Sequence, residues 1–268
     1  MKIAVFSCFH GRFPEKIKSF LKENKIDIVF CCGDLCNVDS IRDIIFNNWN
    51  KRRKLRKIQK TEQYKRLLIS SINSMQSILD ELALLDTPIF LVKGNNDYTK
   101  QDIKKLKLEV KSLEERIKQN KKFKYLKNKI LKLKNFQLLG IDQPKYFSNQ
   151  DNEIKNIGAK SRFSKKVEGL FSKIKNSNKT IVLMHYVPYS IFDIPEFGPR
   201  KGEHIGDRSV LYLLQKHQPL IHICGHMHEY QGLKYINKTI IINPGAAQFG
   251  RFAILELDDK GFKDVKFY

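Results

Sequence analysis

Five short segments of this 268-residue chain carry side chains that bind divalent cations, each lying just behind an apolar run. They are residues 7–11 (SCFHG), 33–35 (GDL), 94–97 (GNND), 184–188 (MHYVP) and 225–228 (GHMH). Singly each is weak, because His, Asp and Asn beside Gly are common in turns. Together they supply His10, Asp34, Asn95, His185, His226 and His228: a carboxylate able to bridge, several imidazoles and an amide oxygen. That is the donor set of two divalent ions held roughly 3.5–4 Å apart, with positions left open for water and phosphate.

Donors so scattered in sequence meet only if the strands before them lie side by side with their carboxyl ends on one edge, where open α/β sheets place their sites. The apolar runs at 3–6, 26–32, 89–92, 180–184 and 220–224 read as those strands. Pro14 opens a helix to about Lys22, and helices are expected near 164–174 and 209–216. Residues 40–85 read as helical: Leu68, Ile72, Met75, Leu79 and Leu82 recur at steps of three and four, an amphipathic face that packs on a sheet. Residues 100–134 begin helical, with Leu106, Val110, Leu113 and Ile117 at a loose heptad step, and turn strand-like over 125–133. A strand at 136–141, a loop at 142–153 and a turn-rich loop at 188–206 follow. Strands near 234–236, 239–242, 252–257 and 265–267 are expected to complete a second, mainly antiparallel layer. The expected fold is α/β: a two-sheet sandwich flanked by helices, one domain over 1–268 with basic helical elaborations at about 46–85 and 100–134.

The five segments resemble the calcineurin-like metallophosphoesterase superfamily, whose pattern is D-x-H, G-D, G-N-H-D, H, then G-H-x-H. Residues 202–259 carry H-x-G, Q-P, C-G-H-x-H-E and I-N-P-G in order, as in phosphoesterases related to the bacterial Icc protein. The resemblance implies one metal held by the first-motif residues Cys8 and His10 with Asp34 and His228. A second would be held by Asp34, Asn95, His185 and His226, with Asp34 as the bridge. It further implies two divalent ions (Mn, Fe or Zn) and hydrolysis of a phosphate mono- or diester by a metal-bound hydroxide, with Asp34, Asn95 and His226 at the reacting centre. The alternative is a member with a degraded metal site that serves as a nucleic-acid- or protein-binding scaffold.

Two departures bear on that choice. Cys8 stands where the family has Asp, so the site loses a carboxylate. A thiolate there can ligate zinc or iron, its pKa lowered by neighbouring cations; otherwise Cys8 is a small buried residue filling space and the first metal position is weak or empty. Asn96 replaces the family His: an amide donates a hydrogen bond but delivers no proton, which favours leaving groups that need little protonation. Arg12, Asn96 and His204 are the candidate substrate contacts, since guanidinium matches phosphate bidentately and His204 aligns with a family His in the pocket-bordering loop. A surface arginine and a plain loop histidine are the competing readings. Asp97 is a candidate for orienting the 94–97 loop.

The net charge of +22 favours polyanions, so nucleotides and nucleic acids are candidate partners beside the phosphate ester. Against this, Lys-rich helical faces also serve as plain solvated surface, and these helices show no interleaved aromatic platform. The longest apolar runs are strand-sized, so no membrane span is expected, and residues 3–6 leave no room for a signal peptide. With five cysteines in no disulfide or zinc pattern, a cytoplasmic protein is expected. Cys31 and Cys32 read as core, Cys36 as lining the site mouth, His217 as surface and His222 as solvated or structural.

Overall fold

The structure, a computed structural model, describes residues 1–142 and 162–268. Strands β1 (Lys2–Phe6), β2 (Ile28–Cys31), β3 (Ile89–Leu91) and β4 (Phe123–Tyr125) run parallel in one sheet. β5 (Lys129–Leu133) and β6 (Phe136–Ile141) open a second sheet, followed by β7 (Thr180–Met184), β8 (Ile221–Ile223), β9 (Gly232–Ile236) and β10 (Thr239–Asn243). Here β6, β7, β8 and β10 are parallel, while β5 and β9 are antiparallel edges. β11 (Ala253–Asp258) and β12 (Gly261–Phe267) return to the first sheet, β11 antiparallel beside β1 and β12 antiparallel beside β11 at the edge.

Strand periodicity makes these two sheets a sandwich. Along β1, Ile3 and Val5 face the layer between the sheets, with Phe30, Leu183 and Ile242; Ala4 and Phe6 face the outer layer. Along β7, Ile181 and Leu183 point inward, and Val182 and Met184 pack under helices. Strands covered on both faces have no polar face to alternate, hence their continuous apolar sequences.

Six helices lie on the first-sheet side of the chain order: α1 (Glu15–Glu23), α2 (Asp39–Asn47), α3 (Arg52–Ile58), α4 (Glu62–Ala83), α5 (Lys100–Leu106) and α6 (Leu113–Ile117). α7 (Arg162–Phe171) and α8 (Arg208–His217) cover the second sheet through Val167, Phe171, Val210, Leu213 and Leu214. In α4, Thr61 caps the Tyr64 N–H, and Leu68, Ile72, Met75, Leu79 and Leu82 form the buried stripe. Among the described residues no helix is long and apolar enough to cross a membrane.

Three expectations are corrected. The last four strands do not form one antiparallel layer: β9 and β10 join the second sheet, β11 and β12 the first. The heptad-like step over 106–117 is not one helix. Lys107 turns left-handed (φ 53°), leaving Leu106 exposed, and Ser112 with Glu115 forms a capping box that starts α6 afresh. The strand-like run at 125–133 is cut by Asn128 (φ 51°), so β4 and β5 belong to opposite sheets. The loop expected at 142–153 lies, beyond Asp142, outside the described residues.

Met75 is fully buried in the outer layer where α4 meets the first sheet. Met75→Ala should cost about 2–5 kcal/mol of stability through lost contacts and a residual cavity, read as a lower urea midpoint at unchanged slope.

Candidate metal centre

Each expected donor leaves the carboxyl end of a parallel strand: Cys8 and His10 follow β1, Asp34 follows β2, Asn95–Asp97 follow β3, His185 follows β7, and His226 and His228 follow β8. The turns are tight enough that Cys8, His10, Asp34 and His226 adopt left-handed backbone, with φ of 57°, 46°, 60° and 66°. For non-glycine residues this costs of order 1–3 kcal/mol each and persists only where surrounding bonds over-determine it. Those bonds are present. Cys8, His10 and Gly11 N–H groups donate to the carbonyls of Gly33, Asp34 and Leu35 at 2.9, 3.0 and 2.8 Å, zipping the first loop to the second.

Buried Asp97 joins the second loop to the third. Its carboxylate accepts the N–H groups of Asp34, Leu35 and Gly94, each at 2.8 Å, which gives the orienting role anticipated for it a definite form. The same two loops touch backbone to backbone: a Cβ on Gly33 would lie 2.0 Å from the Gly94 nitrogen, and one on Gly94 would lie 2.0 Å from Asp34 Oδ1.

The imidazoles are aimed by main-chain carbonyls. His10 Nδ1 meets the Cys36 carbonyl at 3.1 Å and His185 Nδ1 meets that of Cys32 at 2.6 Å. A carbonyl only accepts, so each Nδ1 carries the proton and each Nε2 presents a lone pair. These lone pairs face acceptor oxygens: His10 Nε2 lies 3.6 Å from Asp34 Oδ2, and His185 Nε2 lies 3.4 Å from Asp34 Oδ2 and 2.9 Å from Asn95 Oδ1. His10 Nε2 also lies 3.0 Å from His228 Nε2. His226 Nδ1 completes the second group, 3.3 Å from His185 Nε2. Two clusters thus share Asp34, and Cys8 Sγ is within 4.8 Å of donor atoms in both: His10 and His228 on one side, Asp34 and His185 on the other. Acceptors facing acceptors are reconciled by a cation, so the donor set fits divalent metal.

The electrostatics follow from burial and from that carboxylate. Burial works against the Asp34 anion, yet when the His185 ring is protonated its charge and hydrogen bond, with His10 and the Asn96 N–H, outweigh it and hold the Asp34 pKa well below the usual range. Reciprocally, burial disfavours protonated His185, but Asp34 overrides this and raises its pKa. His226 and His228 are pushed down to about 3, mainly by burial, then by His185 and His10 respectively; the Arg42 charge also reaches His228. The expected lowering of the Cys8 pKa is reversed: burial and then the Asp34 charge raise it well above the usual thiol value, because the nearest strong charge is negative.

Other expected residues go elsewhere. Arg12 is exposed and paired with Asp39 at 2.9 Å. Asn96 is turned onto Asp34, its backbone N–H donating to Oδ1 at 2.8 Å and its Nδ2 to Oδ2 at 2.7 Å. His204 is held by Asp193 at 2.9 Å, within a loop whose Ser190 and Gly206 N–H groups the same carboxylate also accepts. Cys36 does not line a mouth: its side chain is in the core and only its carbonyl serves His10. His217 is half-buried against Phe171 rather than a surface residue. His222 is fully buried with no regular hydrogen bond at either ring nitrogen, and burial lowers its pKa to about 3.

Sequence reasoning passed over Gln248, whose amide meets His228 Nδ1 at 3.3 Å while its backbone N–H donates to the Cys8 carbonyl at 3.1 Å. Asn243, in the I-N-P-G run, donates to the Met227 carbonyl at 3.2 Å and so shapes the 225–228 loop. The available signal was that run itself, since a Pro-Gly turn directly after a buried strand positions whatever follows it.

A sandwich of two mixed sheets with such a cluster at the carboxyl ends of its parallel strands defines a metal-dependent phosphoesterase. The chain belongs to the calcineurin-like phosphoesterase family, whose model matches residues 1–230. It is accordingly a phosphoric ester hydrolase whose family uses divalent metal ions. No curated protein sequence matches it. Among solved structures, one superposes with a TM-score of 0.65 at 18% identity, covering 100% of this chain and 98% of the other. The protein TT1561 of Thermus thermophilus gives 0.56 at 13% identity, over 100% and 97%. A dimetal phosphatase from Danio rerio gives 0.55 at 12% identity, over 100% and 95%. At these identities the likeness is one of fold.

Gly94→Ala should displace the Asp34 carboxylate and lower metal affinity at least about tenfold, measured by calorimetric titration of manganese, with far-UV circular dichroism unchanged. His222, neutral when folded, binds a proton on unfolding below about pH 6.5, so the unfolded state holds more protons and stability falls with acidification. His222→Leu should flatten the acid limb of the stability profile by about 1.4 kcal/mol per pH unit between about pH 6 and 4, read from urea midpoints.

Proposed function

We propose that the cluster is a dinuclear centre hydrolysing a phosphate mono- or diester, with His10, His228, Asp34 and Cys8 around one ion and Asn95, His185, His226 and Asp34 around the other. The observation that carries this reading is the carbonyl-fixed pair of Nε2 atoms on His10 and His185, both converging on Oδ2 of one buried carboxylate. When bound, divalent ions lower the pKa of a water to about 7 and neutralise charge on phosphoryl oxygens.

The chain's own residues fix where that chemistry happens. Asp34 stays ionised against burial and presents Oδ2 to both clusters. Asn96 steadies it with two donors and, being an amide, delivers no proton, which selects weakly basic leaving groups. Neutral His226 and His228 are ready to ligate without first losing a proton. Cys8 ligates as thiolate only if the bound cation overcomes burial and the Asp34 charge, so the first position is the weaker of the two.

Purified protein loaded with manganese should turn over bis(p-nitrophenyl) phosphate, and Asp34→Asn should reduce kcat at least about a thousandfold. Cys8→Asp should raise metal content towards two equivalents and increase kcat, because it restores a second carboxylate. Substoichiometric metal and no turnover in both the native protein and Cys8→Asp would favour the scaffold reading instead.

A further inference from the structure

A strongly basic segment follows the helix that starts just past Asp34. Between Asp43 and Asp80 the chain carries nine Lys and Arg and a single acid, Glu62. Five of these cations fall within the seven residues of α3, all exposed, and among the described residues none of the five makes an ion pair. α3 is fastened through Ile58, which packs against the outer core, so its charges are held on a fixed face rather than a loose tail.

α2 runs from the centre to that face. It begins at Asp39, five residues past Asp34, where Asp39 gathers Arg12 and Arg42 at 2.9 Å each. Arg42 and Phe46 lie one turn apart on the same side of α2, and Trp49 follows three residues on, just before α3. Phe46 and Trp49 pack edge to face at 6.5 Å between centroids while staying 37% and 41% exposed. Beside them, a Cβ on Gly198 would touch the Phe46 ring at 2.8 Å, which brings the 188–206 loop and its 51% exposed Phe197 to the same rim. The aromatic platform that sequence reading missed is therefore assembled from α2 and a loop distant in sequence.

Exposed aromatic edges followed by uncompensated cations are what grips a flexible polyanion bearing flat rings: bases stack, phosphates meet guanidinium and ammonium groups. We infer that single-stranded nucleic acid is the ligand of this face, its bases on Phe46, Trp49 and Phe197 and its backbone running from α3 past Arg42 towards the metal centre. The route into the centre rests on the phosphoesterase reading above; the binding face itself does not. Duplex is the poorer fit because its bases are not free to stack on side chains.

Trp49 is the sole tryptophan of the chain, so its fluorescence reports this face directly. Oligo(dT) of twelve nucleotides should quench that emission and raise the anisotropy of a labelled strand, whereas heparin or a twelve-base-pair duplex should not quench. Trp49→Ala, followed by anisotropy, should weaken oligo(dT) binding about tenfold. Changing Arg53, Lys54, Arg56 and Lys57 to Gln should reduce the slope of log K against log salt by about 3. Oligo(dT) should also inhibit turnover of bis(p-nitrophenyl) phosphate with a constant matching its Kd, and Trp49→Ala should relieve this inhibition while leaving uninhibited turnover unchanged. Equal quenching by heparin, or no binding of the strand at all, overturns the inference; the second result would be the outcome if an acidic protein covers this face. If the small diester is not hydrolysed, the phosphoesterase reading fails, yet quenching and anisotropy still decide the binding face.

Discussion

Everything at the centre depends on a buried carboxylate that carries no candidate ligand role. Asp97 collects three backbone N–H groups from two loops, which leaves none of those donors unsatisfied away from water. Its bonds to Asp34 N–H and Leu35 N–H set the pitch of the turn after β2. Its bond to Gly94 N–H brings the turn after β3 against it. Removing that anion would leave three buried donors without partners, and the Asp34 oxygens would lose the frame that aims them.

That frame also explains why so many site residues occupy unfavourable backbone. Four non-glycine donors are left-handed, an arrangement that shortens each turn and points side chains back over the strand ends. The compensation is a zipper of main-chain hydrogen bonds between the first two loops, with Ser7 and Cys8 carbonyls taken up by Ala247 and Gln248 from the far end of the chain. Strain, loop packing and imidazole orientation form one construction: the carbonyls that receive His10 and His185 belong to the cysteines around Asp34, so moving that turn would move both rings.

The family membership and the chain's own chemistry bear on different questions. Membership establishes a metal-dependent hydrolase of phosphoric esters. Cys8 and Asn96 are the chain's own departures there: a buried thiol whose ionisation is opposed by burial and by Asp34, and an amide that donates to the Asp34 carboxylate. The exterior adds a separate element, since α3 and the rim of α2 concentrate positive charge and exposed rings.

The strands that feed the site were legible because strands buried on both faces must be apolar throughout, and the α4 stripe was legible because helix periodicity repeats the core contact every three or four residues. The donor types could likewise be read from the five segments. Their grouping could not. Which imidazole faces which, that Asn96 turns onto Asp34, and that Gln248 reaches His228 depend on contacts between residues as many as 218 positions apart. Local pattern also failed where pairing is non-local: β4 and β5 are neighbours in sequence but edges of opposite sheets, and β9 to β12 divide between them, because a single left-handed Asn128 or a change of sheet leaves no periodic trace. The aromatic rim was invisible for the same reason, since Phe46 and Phe197 share it only once the 188–206 loop has folded onto α2. Residue type settled the chemistry available; the tertiary structure alone decided which side chains share it, because proximity across the sandwich is a property of packing and not of spacing.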